Sequence, residues 1–450
     1  MPVRLLPASS ASLEKLTDVT LKDHGETLHV TEFAVSGLSF EPMTVWLDDV
    51  LHFFGVPGKW FAMLREGWEG SNDQLYALDL AAADARSARF AKELPRHLQH
   101  PVAVEHVRLF DSERATMLEN QTVVIEGELI TKVGSSGAVD IPKEAEHVEG
   151  AGKTLLPGLF DMHVHAQSLD GLLNIASGVT SVRDMGNNIE DLKHLQDRWD
   201  NGAAIGPRVT KAGFIDGHGP FQAPTGLYAD TAEEARAAVN KYADLGYFQI
   251  KVYSSLKPEL VPVIVKAAHA RGLRVSGHIP NGMLASEFVE AGADELQHIN
   301  FIFLNFLAAK VKDTRTPERF TAVGENAAKI DVQSKEVNDF IELLKEHHTT
   351  VDVTLATFEG MYTGRPGQIS PDVAPVLEWL PAQTQRYAYS GGLPVTQVTD
   401  QLYKDSYDAM LRMTKRMYDA GVPILAGTDA LAGIMLHREL ELEVQGLDRS

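Results

Sequence analysis

Beyond residue 155 the chain repeats one unit, a short buried-looking strand followed by a helix, and it does so eight times. The strands read LLPGLFDMHVH, VTSVRDM, RVTKAGF, FQIKVY, RVSGHI, ELQHIN, TVDVTLA and VPILAGTD. Apolar runs of this kind, as opposed to strict alternation, mark strands covered on both faces. The helices between them have readable ends. Thr231 with Glu234 forms a capping box, Ala235, Ala238, Val239 and Tyr242 form an apolar stripe, and Gly246 supplies the stop. Pro258 likewise opens a helix that Gly272 closes. Eight such units over about 280 residues predict an α/β chain built on a (β/α)8 TIM barrel. The competing architecture is an open doubly wound sheet, whose dinucleotide fingerprint needs a Gly-rich turn after the first strand. DMHVHAQSLDG has no such turn.

Upstream the pattern differs. TLHVTEFAV and MTVWLDDVLHFFG cluster β-formers between Gly and Pro, and a helical stretch from Asn72 to Leu94 is stopped by Pro95. Short strands return in VAVEHVRLF and TVVIEGELITKVG. We therefore expect an extra N-terminal β-rich segment over 1–95, in which the sequence shows no function. A small, partial β-sandwich domain over 96–155 and the barrel over 156–450 would follow.

Composition narrows the chemistry. Cysteine is absent, which removes disulfides, thiolate metal sites and cysteine nucleophiles, so any metal must be held by nitrogen and oxygen. Sixty-two Asp and Glu against 41 Lys and Arg give a net charge of −21, which argues against a general nucleic-acid binder. No uncharged apolar run reaches the roughly 20 residues of a membrane span, and MPVRLLPASSASLEKL lacks the apolar core of a signal peptide. The expectation is a soluble protein with a small-molecule substrate and neither nucleic-acid nor membrane partners. The sequence leaves its compartment unknown and homo-oligomerisation open.

His163 and His165 lie two apart on the first strand, so both side chains share one face. Two core histidines would be the bland reading of this pair alone. Position decides against it: Lys251, His278, His298 and Asp429 also end their strands, at the face where barrel enzymes place their chemistry. Taken singly, Lys251 reads as a snorkelling lysine and Asp429 as a helix cap. Together the six suit two divalent ions. Imidazoles and carboxylates are zinc ligands, and a desolvated lysine can lose its proton and take up carbon dioxide as a carbamate with two bridging oxygens. Asp429 can also accept a proton from a bridging hydroxide.

In PGLFDMHVH, GVTSVRDMG, IKVY, SGHIP, ELQHIN and AGTDA, over roughly residues 100–450, the chain resembles the amidohydrolase superfamily in its binuclear, carboxylated-lysine branch. It is similar there to the prolidase-like metal-dependent dipeptidases and carboxypeptidases. The resemblance implies His163, His165 and Asp429 on one metal, His278 and His298 on the other, and Lys251 as the bridge. It also implies two catalytic helpers, His218 in DGHGP and Tyr253 in KVY, which polarise the carbonyl or hold substrate. Family members continue past HRELELEVQG into strands that complete the sandwich, whereas this sequence stops at Ser450. The expectation is a fragment with a truncated C-terminal end, or a sandwich edge covered in another way.

The leading expectation for function is hydrolysis of an amide, in a dipeptide-like or N-acyl amino acid substrate, by a metal-bridging hydroxide with Asp429 as proton shuttle. The same centre could open a lactone or cleave a phosphotriester. A non-catalytic binding barrel would normally lack a ligand, and a mononuclear deaminase would not need Lys251. The long segment EGMYTGRPGQISPDVAPVLEWLPAQTQRYAYSGGLP after strand seven reads as a lid or specificity loop. Its Arg365 reads first as solvated and second as a binder of a substrate carboxylate. Arg183 and Asp184 are expected to pair with each other or brace neighbours, and His269, His347 and His348 to be structural.

Overall fold

The computed structural model describes residues 3–5, 9–23, 25–59 and 61–447. Two compact units result, Met1–Ser87 with Phe160–Ser450, and Ala88–Leu159. The second unit is a single five-stranded sheet. Val102–Asp111, Thr116–Glu126 and Leu129–Ser135 run antiparallel, while Glu146–Glu149 and Thr154–Leu155 pair parallel to the first of these.

In the first unit all eight expected strands form: β1 (Leu159–Val164), β2 (Val179–Asp184), β3 (Arg208–Asp216), β4 (Gln249–Val252), β5 (Arg274–Gly277), β6 (Glu295–Gln297), β7 (Thr350–Asp352) and β8 (Ile424–Leu425). They neighbour one another in chain order, with parallel registers. The ring is closed where Met162 N–H donates to Ala426 O at 2.9 Å and Asp429 N–H donates to His163 O at 2.8 Å. The fold is therefore a (β/α)8 barrel accompanied by separate, largely antiparallel sheets.

Local chemistry accounts for the packing. The helix Ala232–Asp244 starts on the Thr231/Glu234 capping box and buries Ala235, Ala238, Val239 and Tyr242. Tyr242 can lie flat on β3 only because position 213 is glycine, since a Cβ there would sit 2.3 Å from the Tyr242 ring. Inside the barrel, β2, β4, β5 and β6 contribute a buried polar layer. Arg183 makes a fork to Glu295 at 2.6 and 2.8 Å and donates to Gln249 at 3.3 Å, and Gln297 donates to Ser276 at 3.2 Å. Arg183 and Asp184 do not pair with each other. Successive residues on a strand point to opposite faces, so Arg183 reaches across the barrel while Asp184 accepts the N–H groups of Ala166 and Gly186.

Residues 1–87 carry a six-stranded antiparallel meander whose longest strands are Ser9–Asp23 and Glu26–Ser36, and the start of the helix Asn72–Glu93. They have a core of their own made of Leu21, Val30, Trp46, Phe54, Trp68 and Leu75. No helix among the described residues is long and apolar enough to cross a membrane.

Candidate metal and active site

At the C-terminal mouth of the barrel the six strand-end residues converge. Asp429 divides its two oxygens: Oδ1 lies 3.6 Å from His165 Nε2 and 3.9 Å from His163 Nε2, while Oδ2 lies 3.8 Å from His298 Nε2. His298 Nε2 in turn stands 2.9 Å from His278 Nε2, and Lys251 Nζ 3.1 Å from His163 Nε2. The candidate ligand atoms of His163, His165 and Asp429 all lie within 4.8 Å of one another.

The outer nitrogens show what the inner ones are for. His163 Nδ1 faces Asp352 Oδ2 at 2.7 Å and His165 Nδ1 faces the Gly186 carbonyl at 2.6 Å. The Gly186 carbonyl can only accept, and Asp352, whose carboxyl burial pushes up while Arg183 at 3.4 Å pushes it down, accepts in its ionised form, so Nδ1 then carries the proton and Nε2 presents its lone pair to the centre. His298 Nδ1 is similarly held by Thr354 Oγ1 at 2.9 Å. Burial holds His163 and His278 well below the usual imidazole range and His298 down at about 3, so these rings are neutral at pH 7. Lys251 is fully buried, and burial lowers its amine to about 8. Neutral imidazoles with pinned outer nitrogens, a carboxylate and a desolvated amine are a donor set that fits divalent metal.

Backbone strain is concentrated here. His298, Thr354 and Asp429 have φ of 66°, 49° and 49°. For a β-branched threonine that is a genuine outlier, and each such residue costs on the order of 1–3 kcal/mol, which the surrounding structure must sustain. Crowding is equally tight: a Cβ on Gly427 would lie 2.5 Å from Asp352 Oδ1 and 2.7 Å from His163 Cβ.

The centre opens into a cavity of about 880 Å³ lined by His165, Lys251, His278, His298 and Asp429, and by Tyr253. The Tyr253 ring lies 4.2 Å from that of His278. His218 is not in this group. The loop after β3 presents Phe221, Gln222 and Ala223 to the cavity, whereas His218, more than half exposed, is held by Asp230 at 2.5 Å and packs on Tyr228. Arg365 is neither solvated nor available to a ligand, because Asp400 and the carbonyls of Tyr362 and Gly364 engage it. Of the long segment after β7, Met361 alone reaches the cavity wall.

Three participants escape sequence reasoning. Asp352, on β7, orients His163. Arg319, on the helix Glu318–Asn326, lines the cavity beside Tyr253, with its guanidinium over Phe320 and its Nε without a partner. Asn300 lines the same wall, its amide buried and unpaired on both atoms. Asn300 and Asp352 carry a signal, the first two residues after His298 and the second at the end of a barrel strand.

Fold and donor set together define a (β/α)8 barrel with a candidate metal centre at its catalytic face. No family model and no curated protein matches this chain in sequence. Solved structures do match its fold. A Xaa-Pro dipeptidase with bound methionine is 18% identical, with 77% of this chain and 84% of that one covered and a TM-score of 0.52. The bottromycin amidohydrolase is 18% identical over 82% and 76%, with a TM-score of 0.53. Molinate hydrolase is 18% identical over 77% and 81%, with a TM-score of 0.51. These likenesses show the barrel fold.

Proposed function

We propose that this protein is a metal-dependent hydrolase that cleaves the amide bond of N-acyl amino acids or dipeptide-like substrates. The observation that carries the reading is the convergence of four imidazoles, Lys251 and Asp429 at the barrel mouth, with the outer nitrogens of His163 and His165 pinned by acceptors. The names of the fold neighbours, a dipeptidase and two hydrolases of other substrates, point in the same direction.

In this reading His163, His165 and Asp429 hold one ion, and His278 and His298 the other. The amine of Lys251, lowered by burial, would add to carbon dioxide, forming an N–C bond and releasing one proton, and the carbamate would supply oxygen donors beside the imidazoles. When bound, divalent ions, with zinc suited to these nitrogen and oxygen donors, polarise a carbonyl and make hydroxide available near neutral pH. The chain's own groups do the rest. Asp429 accepts the proton of the attacking water and passes it to the leaving nitrogen. Arg319, which lines the cavity and whose Nε has no protein partner, pairs with the substrate carboxylate. Tyr253, between Arg319 and His278, holds the reacting end of the substrate. His218 has no role in this scheme.

The test is metal analysis of the purified chain together with a screen of N-acyl amino acids and dipeptides in the presence of zinc and bicarbonate, run beside lactones and phosphotriesters. Two ions per chain and turnover of amides are expected. Turnover confined to esters, or fewer than one ion per chain, overturns the reading.

A further inference from the structure

Part of the cavity wall does not belong to the barrel. Gly58, Lys59, Phe61, Tyr76, Leu80 and Asp84, all from the N-terminal segment, line the same space as Lys251 and Asp429. Side chains fasten that segment to the barrel helix Ile189–Asp200, which follows β2. Asp84 takes His194 at 2.8 Å and Arg198 at 3.1 Å, and Arg198 also donates to Ser87 at 2.9 Å. A second tie runs to the segment after β7, where Gln383 N–H donates to Leu38 O at 3.1 Å. The N-terminal segment is thus tied both to the helix after β2 and to the segment after β7.

One loop of this wall is built for presentation. Asn72 clamps Gly58 from both sides, its Oδ1 accepting Gly58 N–H and its Nδ2 donating to Gly58 O, each at 3.1 Å. Lys59 is fixed by Asp73 at 2.8 Å. A Cβ on Gly58 would lie 2.1 Å from the Phe61 carbonyl, so the tight return of this loop requires glycine there. The result is to hold out Phe61, an apolar ring 70% exposed on the cavity wall, with Phe221 of the barrel, 47% exposed, lining the same cavity. Bare aromatic rings in a concave site, one of them beside the clamped residues Gly58 and Lys59, are what an apolar ligand group would cover.

We propose that the N-terminal segment is the distal wall of the substrate site and that Phe61 selects substrates carrying an aromatic or bulky apolar group several bonds from the scissile amide. This rests on the amide-hydrolase reading for the identity of the bond. The choice of distal group rests on the wall alone. A cavity of about 880 Å³ has room for such a group, since pockets of about 300–1,000 Å³ enclose drug-sized ligands.

The test separates the two. N-(4-phenylbutyl)-L-phenylalanine and N-ethyl-L-phenylalanine contain no amide to cleave, so calorimetric binding to the zinc-loaded whole chain does not depend on turnover. The phenylbutyl compound is expected to bind at least about tenfold more tightly, and Phe61→Ala to cut that ratio at least about threefold, in keeping with the loss of one aromatic contact. Gly58→Ala, which displaces the loop without touching the ring, is expected to cut it as well. A ratio below threefold in the parent, or one unchanged in Phe61→Ala with circular dichroism showing a folded chain, overturns the proposal even where amides are hydrolysed. A ratio that behaves as expected in a chain that cleaves no amide upholds the wall and removes the reaction.

Discussion

Asp352 does not line the cavity at the barrel mouth, yet removing it should weaken the metal centre. Its Oδ2 accepts the proton of His163 Nδ1 at 2.7 Å in a fully buried setting, and this fixes which nitrogen of His163 faces the ligand cluster. A hydrogen bond to a charged group contributes about 1.5–3 kcal/mol. Loss of such a supporting partner lowers metal affinity about 10- to 100-fold, or about 1.4–2.7 kcal/mol, so the two scales agree. Asp352→Ala is therefore expected to weaken zinc binding by 10- to 100-fold. Asp352→Asn should behave differently, because Arg183 lies 3.4 Å from the same oxygen and repels an amide NH2. The amide oxygen then turns towards His163, keeps the tautomer, and limits the loss to less than about tenfold. Competition for zinc against a chromophoric chelator, with circular dichroism as the check on folding, reads both variants. Alanine binding zinc within twofold of the parent, or asparagine as weak as alanine, would refute the tautomer argument.

Three other outcomes follow from the geometry. Asp429→Asn keeps the size and one oxygen of the side chain while removing its basicity, so kcat should fall about 10²- to 10⁴-fold with metal retained. A folded, metal-loaded variant within threefold of the parent would reduce Asp429 to a helix cap. Arg319→Met should raise KM for substrates with a free carboxylate and leave the corresponding carboxamides little changed, and equal effects on both would remove Arg319 from carboxylate recognition. Finally, burial and the neighbouring Asp79 push the Glu32 carboxyl from 4.5 up to about 7, so the unfolded chain releases this proton first. The stability it contributes is complete below about pH 4.5 and is lost as pH rises through 7, by at most about 3 kcal/mol. Glu32→Gln should flatten the fall in melting temperature between pH 5 and pH 8, and an unchanged slope would show that Glu32 does not set it.

The barrel was legible because each strand is buried on both faces and therefore appears as an apolar run whose one polar residue stands out at its end. Lys251 in QIKV and Asp429 in LAGTD were found in this way, and the same logic gave the His163 and His165 pair. Asp352 sits in TVDVTLA in just such a position, but an isolated acid in a strand does not reveal that it faces a histidine 189 residues away. Arg319 lies on a helix with no periodic mark, and its place beside Tyr253 exists only in three dimensions. Arg183, expected to pair with Asp184 or to brace neighbours, braces Glu295, 112 residues on, across the barrel. The N-terminal segment was opaque for the same reason. Asp84 is an ordinary helix acid until His194 and Arg198 are brought to it.

The order in which the cavity walls occur along the chain bears on how the site is assembled. Phe61 and its clamp are synthesised about a hundred residues before the first ligand, His163, and about 360 before Asp429. Contacts so distant in sequence form late, since closing the loops between them costs entropy before any contact rewards it. The N-terminal sheet can gather around Trp46 and Trp68 early, but its aromatic face and the aspartate that receives His194 stay uncovered until the barrel helix arrives. A nascent or partly unfolded chain therefore carries the N-terminal wall before the barrel that faces it, and the cavity exists only once both have folded.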